Sequence, residues 1–435
     1  MKRKIRAFRC FLICVLLVPL LSGCWDRLDP ENIAFVMAIG VDPGPRNDFL
    51  FTFALAGPKT TNGGIGGRSL NSSSDQNDSI SVFTVEGSNI ASAMTASQAF
   101  VARRLTFIHA KAFILGEDMA RKGVIELMSE VVRNRQIRRT LDMITTRGSA
   151  QTYIRNIRPT TEQDINLWFE LETDPNNMGA ALPKKSRFHN FILDIESKGG
   201  GAVTILSAPR PDIRKGRSNL TYPREHASGD SRQLTIGDEY AGSIRRAGEV
   251  PVEFYGSAVY QGSKLAGFLN GSETKVLNML RGQFLTTPWD FPDPADPQLN
   301  LTLNVSAQKQ TRLEVQRNQD QIKATFHVSM EGDLMSVQTT ANYTVPAETK
   351  KLERAIEQLM KQKSINLLQK TLHTWEVDCF YISNQLKSTF RTLQEWNDFD
   401  WKNHVKDTQF YVDISFKLRR HGDQVGPAIE GDQMK

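Results

Sequence analysis

Three stretches in the last third of the chain alternate apolar and polar residues with a period of two. Leu301, Leu303 and Val305 interleave with Asn300, Thr302 and Asn304; Ile322, Ala324, Phe326, Val328 and Met330 with Lys323, Thr325, His327 and Ser329; Phe410, Val412, Ile414 and Phe416 with Tyr411, Asp413 and Ser415. That period marks strands with one buried and one wet face, the habit of antiparallel sheets. Between them Leu352, Ile356, Leu359, Leu367 and Leu368 recur at near-helical spacing, which predicts one long helix over 348–372 and a second near 384–399. In the first half, 32–41 and 49–56 read as two strands about the turn Asp42-Pro43-Gly44-Pro45. Further strands are predicted at 81–86, 111–115 and 141–146, with helices from Ser88 to about Val101, over 117–133 and from Ser149. The Gly-, Ser- and Asn-rich stretch 57–79 predicts a mobile loop. The expected fold is α+β and multi-domain, with largely antiparallel or mixed sheets each covered by helices. Its N-terminal domain spans 24–205, ending near Gly199-Gly200-Gly201. A connector or small middle subdomain follows over 206–250, then a C-terminal domain over 251–420 and a flexible tail over 421–435.

The first residues carry a different pattern. Lys2, Arg3, Lys4, Arg6 and Arg9 precede an apolar run over 10–21, the layout of a secretory leader. The run is shorter than the roughly 20 residues a bilayer-crossing helix needs, and Pro19 interrupts it. Leu21-Ser22-Gly23-Cys24 resembles a lipobox: an aliphatic residue, two small residues that admit a peptidase, then a thiol that takes a diacylglyceryl group as a thioether. Residues 1–23 are therefore expected to be a lipoprotein signal peptide. Cys24 becomes the mature N-terminus, S-diacylglycerol-modified and N-acylated, holding the body to a membrane bilayer. Two or more acyl chains anchor stably where one does not.

Removing that leader changes the charge. It holds five of the six net positive charges, leaving +1, so nothing electrostatic argues for nucleic acid. Arg133, Arg135, Arg138 and Arg139 read as a solvated helix end and loop rather than a phosphate-binding patch. Cys10 and Cys14 leave with the leader, and Cys379 stands alone in an apolar stretch as a small buried hydrophobe.

Catalytic and metal signatures are absent. No two of the seven histidines stand at ligand spacing, and neither a nucleophile elbow nor a phosphate loop occurs. Gly64-x-Gly66 lacks the third glycine and the helix of a phosphate cradle. His109, before the 111–115 strand, reads as a structural residue at a strand entrance. Pairs such as Glu170 and Glu172 cannot be ranked by sequence. Catalytic residues, metal ligands and cofactors are assigned to none.

A family resemblance adds what spacing does not. Cys24-Trp25-Asp26 with the strand ending Gly40-Val41-Asp42 resembles the start of the spore germination C-subunit lipoproteins, the GerC family. The segment Leu105–Lys111, the helix start Gly116-Glu117-Asp118-Met119-Ala120 and the stretch Arg133–Arg138 resemble its next motifs, with Asn134 and Gln136 where acids are usual. Gly256–Tyr260, Lys264–Leu269, Glu273-Thr274, Val377-Asp378-Cys379-Phe380 and the closing Trp396 to Gly422 follow in the family's order. The resemblance implies three domains, each a sheet wrapped by helices. It implies a non-enzymatic subunit of a nutrient germinant receptor, required for nutrient-triggered germination. That subunit would sit lipid-anchored on the extracytoplasmic face of the spore inner membrane, beside multi-pass A- and B-type subunits. Two other readings compete: a solute-binding lipoprotein of a transporter, against which the alternating strands argue, and a membrane-anchored hydrolase with a composite site.

Overall fold

Apolar runs in the first half and alternating stretches in the second build two mixed sheets. The computed structural model describes Arg3 and residues 29–46, 48–57, 80–159, 162, 164–174, 176, 181–184, 186–210, 237–244, 250–319 and 321–422. The leader apart from Arg3, Cys24, nearly all of the 57–79 loop, most of the 206–250 connector and the tail beyond Gly422 lie outside the described residues.

The larger sheet contains β1 (Ile33–Pro43), β2 (Phe49–Ala56), β3 (Ile80–Gly87), β4 (Arg104–Thr106), β5 (Ala112–Gly116), β6 (Asp142–Thr146), β7 (Gly201–Pro209), β8 (Val252–Gln261) and β9 (Lys264–Leu269). Their order is β3-β2-β1-β5-β6-β7-β8-β9, with β4 beside the start of β1. The centre, β1, β5, β6 and β7, is parallel, and the flanks are antiparallel hairpins. Every residue of β5 and β7 is buried, as parallel strands covered on both faces require. One face packs Val36, Phe53, Phe113 and Leu127 with Phe188 and Phe191. The other packs Ala38, Ile114 and Ile144 with Tyr153, Trp168 and Phe169.

The second sheet runs β10 (Thr287–Asp293), β11 (Asp296–Asn318), β12 (Gln321–Val337) and β13 (Gln409–Arg420). Ile322, Ala324, Phe326, Val328 and Met330 face its core, against Leu352, Ile356 and Met360 of the Pro346–Leu368 helix. β10, β11 and β12 are antiparallel, but β13 lies parallel to β12, with Phe326 opposite Val412. Alternation reports one wet face, not strand direction. The α+β class with mixed sheets is the architecture observed.

Local differences have local causes. The helix expected over 117–133 is two, Glu117–Lys122 and Ile125–Val131, because Gly123 takes φ +112° and the Val124 N–H donates to the Ser263 carbonyl. Asn89, not Ser88, caps the Ile90–Ser97 helix through a reciprocal bond with Ser92. The helix near 384–399 is likewise two, Ile382–Lys387 and Leu393–Phe399. The long helix ends at Leu368 and passes into a π turn over Gln369–Thr374.

The larger sheet runs through the junction expected at 205. β7 pairs antiparallel with β8, Val203 opposite Val259, so strands from both halves share one ladder. Two sheets form among the described residues. Gly199-Gly200-Gly201 is a packed seam: Gly201 donates to the Asp378 carbonyl at 2.9 Å, and a side chain there would meet Val377. The Gly271–Leu280 helix lies between the two sheets, with every residue but Glu273 buried.

Candidate functional site

The segment leading into β5, the start of β6 and the end of the Ile165–Thr173 helix line a cleft of about 510 Å³. Lys111 stands just before β5, Asp142 opens β6, and Thr173 ends the Ile165–Thr173 helix across from them. Lys111 pairs with Glu170 at 2.9 Å, and Thr173 Oγ1 donates to Asp142 Oδ2 at 2.9 Å. Burial pushes the Asp142 carboxyl up to about 6, opposed by the Thr173 bond and the nearby Arg187 and Lys111 charges. Ser186 is spent on structure: its Oγ donates to the Met143 carbonyl at 2.6 Å and accepts from the Ile205 N–H at 2.9 Å.

His109 sits exposed at the cleft rim, its ring edge-on to Phe35 with centroids 5.0 Å apart. The turn that carries it is closed by the Ala110 N–H on the Phe107 carbonyl and by Lys111 N–H on Met37. Glu170 and Lys111 face this cleft. Among the described residues no three His, Cys, Asp or Glu side chains converge as a metal site would need. Cys379 is wholly buried, and burial pushes its thiol up to about 12. Cys24, the position singled out for lipid chemistry, lies outside the described residues.

The motifs quoted from the sequence do converge, as joints of the fold. Asp42, ending Gly40-Val41-Asp42, reaches the start of the Ala150–Arg155 helix: Oδ1 accepts the Ala150 N–H and Oδ2 the Gln151 N–H, both at 2.8 Å. Asp378, fully enclosed, accepts from Phe380 and Ile382 at 3.1 Å and from Ser383 at 2.7 Å, capping the Ile382–Lys387 helix. Burial raises both carboxyls above their usual range while these N–H donors hold them down. Glu273 closes a capping box with Asn270 and takes Lys370 at 2.7 Å. Gly256 has φ +93° and abuts the Leu269 carbonyl, and Gly267 lies under the Trp375 ring. A Gly-x-Asp after an apolar strand is a signal that could have located the Asp42 cap; its distant partner at 150 has none.

Comparison with known proteins gives the same picture from outside. The family described as spore germination protein N-terminal domain matches residues 26–208, and spore germination B3/GerAC like, C-terminal, matches 255–422. Spore germination protein B3 of Bacillus subtilis (strain 168) is 21% identical over 95% of this chain and 97% of its own length. YfkR of the same organism is 30% identical over 48% of this chain, the match spanning about half, 51%, of its length. The crystal structure of the GerBC protein superposes with a TM-score of 0.49 at 14% identity, covering 87% of this chain and 96% of that one. With both halves matched in order, the chain belongs to the GerC family of spore germination proteins.

Proposed function

We propose that the protein is the C subunit of a nutrient germinant receptor, lipid-anchored through Cys24 on the outer face of the spore inner membrane, where it assembles with multi-pass A- and B-type subunits. The observation that carries this reading is the ordered match of both family domains, at 26–208 and 255–422, behind a leader that ends in Leu21-Ser22-Gly23-Cys24. No helix among the described residues is long and apolar enough to cross a membrane; in this reading the acyl chains do the anchoring. Ile33, the start of β1, stands nine positions after Cys24. Even fully extended, that stretch reaches only about 30 Å. The tether thus confines the body to a thin layer and raises its effective concentration for membrane partners. Its contribution is assembly rather than catalysis: the buried carboxylates Asp42 and Asp378 are committed to helix caps.

Spores carrying Cys24→Ala in a strain without other receptors should respond poorly to nutrients while vegetative cells grow normally. Deleting the gene should do the same. Nutrient responses indistinguishable from wild type in both strains would refute the assignment.

A further inference from the structure

The end of the larger sheet at which β1 begins carries a concentration of exposed arginines. Ile33 and Ala34, the first residues of β1, pair with Arg104 and Leu105 of β4, so the chain arriving from Cys24 meets the sheet beside Arg103 and Arg104. The loop before β6 lies next to this strand: Gln136 Oε1 accepts the Phe107 N–H at 3.3 Å. It exposes Arg133, Arg135, Arg138 and Arg139. The Arg139 carbonyl accepts the His189 N–H at 3.0 Å, which brings in the turn bearing exposed Lys184 and Arg187. The three segments 100–111, 132–141 and 183–190 contain no Asp or Glu. The acids nearest this face are the exposed Asp29 and Glu31 before β1, and Asp142, Glu170 and Asp174 in the cleft, which Arg138, Lys184 and Arg187 also line. Phe100 and Ile108, 58% and 38% exposed, flank Arg103 and Arg104 along the chain.

With a net charge of only +1 after the leader, such a concentration is a local feature, not a reflection of overall composition. Asp29 stands five positions after Cys24, a reach of about 17 Å at most. Surface charges act over a Debye length of about 8 Å at physiological salt; a tether this short lets the face come within that distance of a bilayer. We infer that this arginine-rich face docks on anionic lipid headgroups, turning a lipid tether into an oriented attachment. The inference rests on the proposed anchor at Cys24. The occupant is the phosphate-bearing bilayer surface, with Phe100 and Ile108 placed to enter its interface.

The test uses the native lipidated chain on vesicles of phosphatidylcholine alone and of phosphatidylcholine mixed with phosphatidylglycerol, read by amide hydrogen exchange. Exchange over 100–109 and 132–141 should slow about fivefold or more on the anionic vesicles only, and added salt should reverse it; β12 should exchange alike on both. The variant Arg104→Glu, Arg135→Glu, Arg139→Glu, all exposed positions, should lose the difference while still floating with neutral vesicles. Equal exchange on both vesicles overturns the inference. So does protection that appears only when multi-pass subunits are added, which would make this a protein-binding face. Flotation with neutral vesicles reports the anchor separately: a chain that fails to float refutes lipidation, and exchange with anionic vesicles then still decides the face.

Discussion

Asp378 offers two oxygens to three backbone N–H groups inside a shell that excludes water. Removing them strands the three donors, each costing on the order of 1 kcal/mol or more when buried. Asp378→Ala should therefore destabilise the protein by at least about 3 kcal/mol in urea unfolding, with Asp378→Asn losing less because one oxygen remains. Asp142 makes a different prediction. Its carboxyl, raised from 3.8 to about 6, holds its proton more tightly in the folded than in the unfolded chain. Across that window the folded state binds more protons, so this residue's contribution to stability falls as pH rises. Solvent reaches the cleft, which limits the loss to on the order of 1–2 kcal/mol. Asp142→Asn should flatten the change in urea midpoint between about pH 4 and pH 6.5. The motif aspartates were legible in sequence as positions, not as roles. Asp42 and Ala150 stand 108 residues apart, and no local pattern announces which helix a distant carboxylate will cap.

At the scale of elements, the exposed edge of the smaller sheet is closed by side chains. Glu357 Oε1 accepts the Phe416 N–H and Glu353 Oε1 the Leu418 N–H, both at 2.9 Å. Carboxylates one helical turn apart thus match N–H groups two residues apart on β13, and cover an edge that would otherwise template another strand. The double variant Glu353→Ala, Glu357→Ala should keep its fold and gain concentration-dependent self-association by light scattering; a strictly monomeric variant would contradict this role. Elements with strong periodicity were legible: β12, β13 and the Pro346–Leu368 helix follow the apolar spacing closely. What the period could not supply was direction or extent. β11 continues to Asn318 through a wet stretch where only Leu313 and Val315 mark an inner face. The break at Gly123 depends on a backbone bond to Ser263, far along the chain.

For the whole molecule, the ladder between β7 and β8 and the buried Gly271–Leu280 helix make the two halves one packed body. Glycines at 199–201, read in sequence as the end of a domain, admit Val377 and Trp401 against the backbone; small residues serve close approach as readily as flexibility. The cleft was not legible, since Lys111, Asp142, Thr173 and Arg187 come from four separate segments. A body of this kind acts at a membrane only if something holds it there, and the account assigns that to the thiol at position 24. Intact-mass and N-terminal peptide analysis of the protein purified from spore membranes tests this most directly. A chain beginning at Cys24 and carrying a diacylglyceryl thioether and an amide-linked acyl group is the expected result. A retained leader, or an unmodified cysteine at that position, would contradict it.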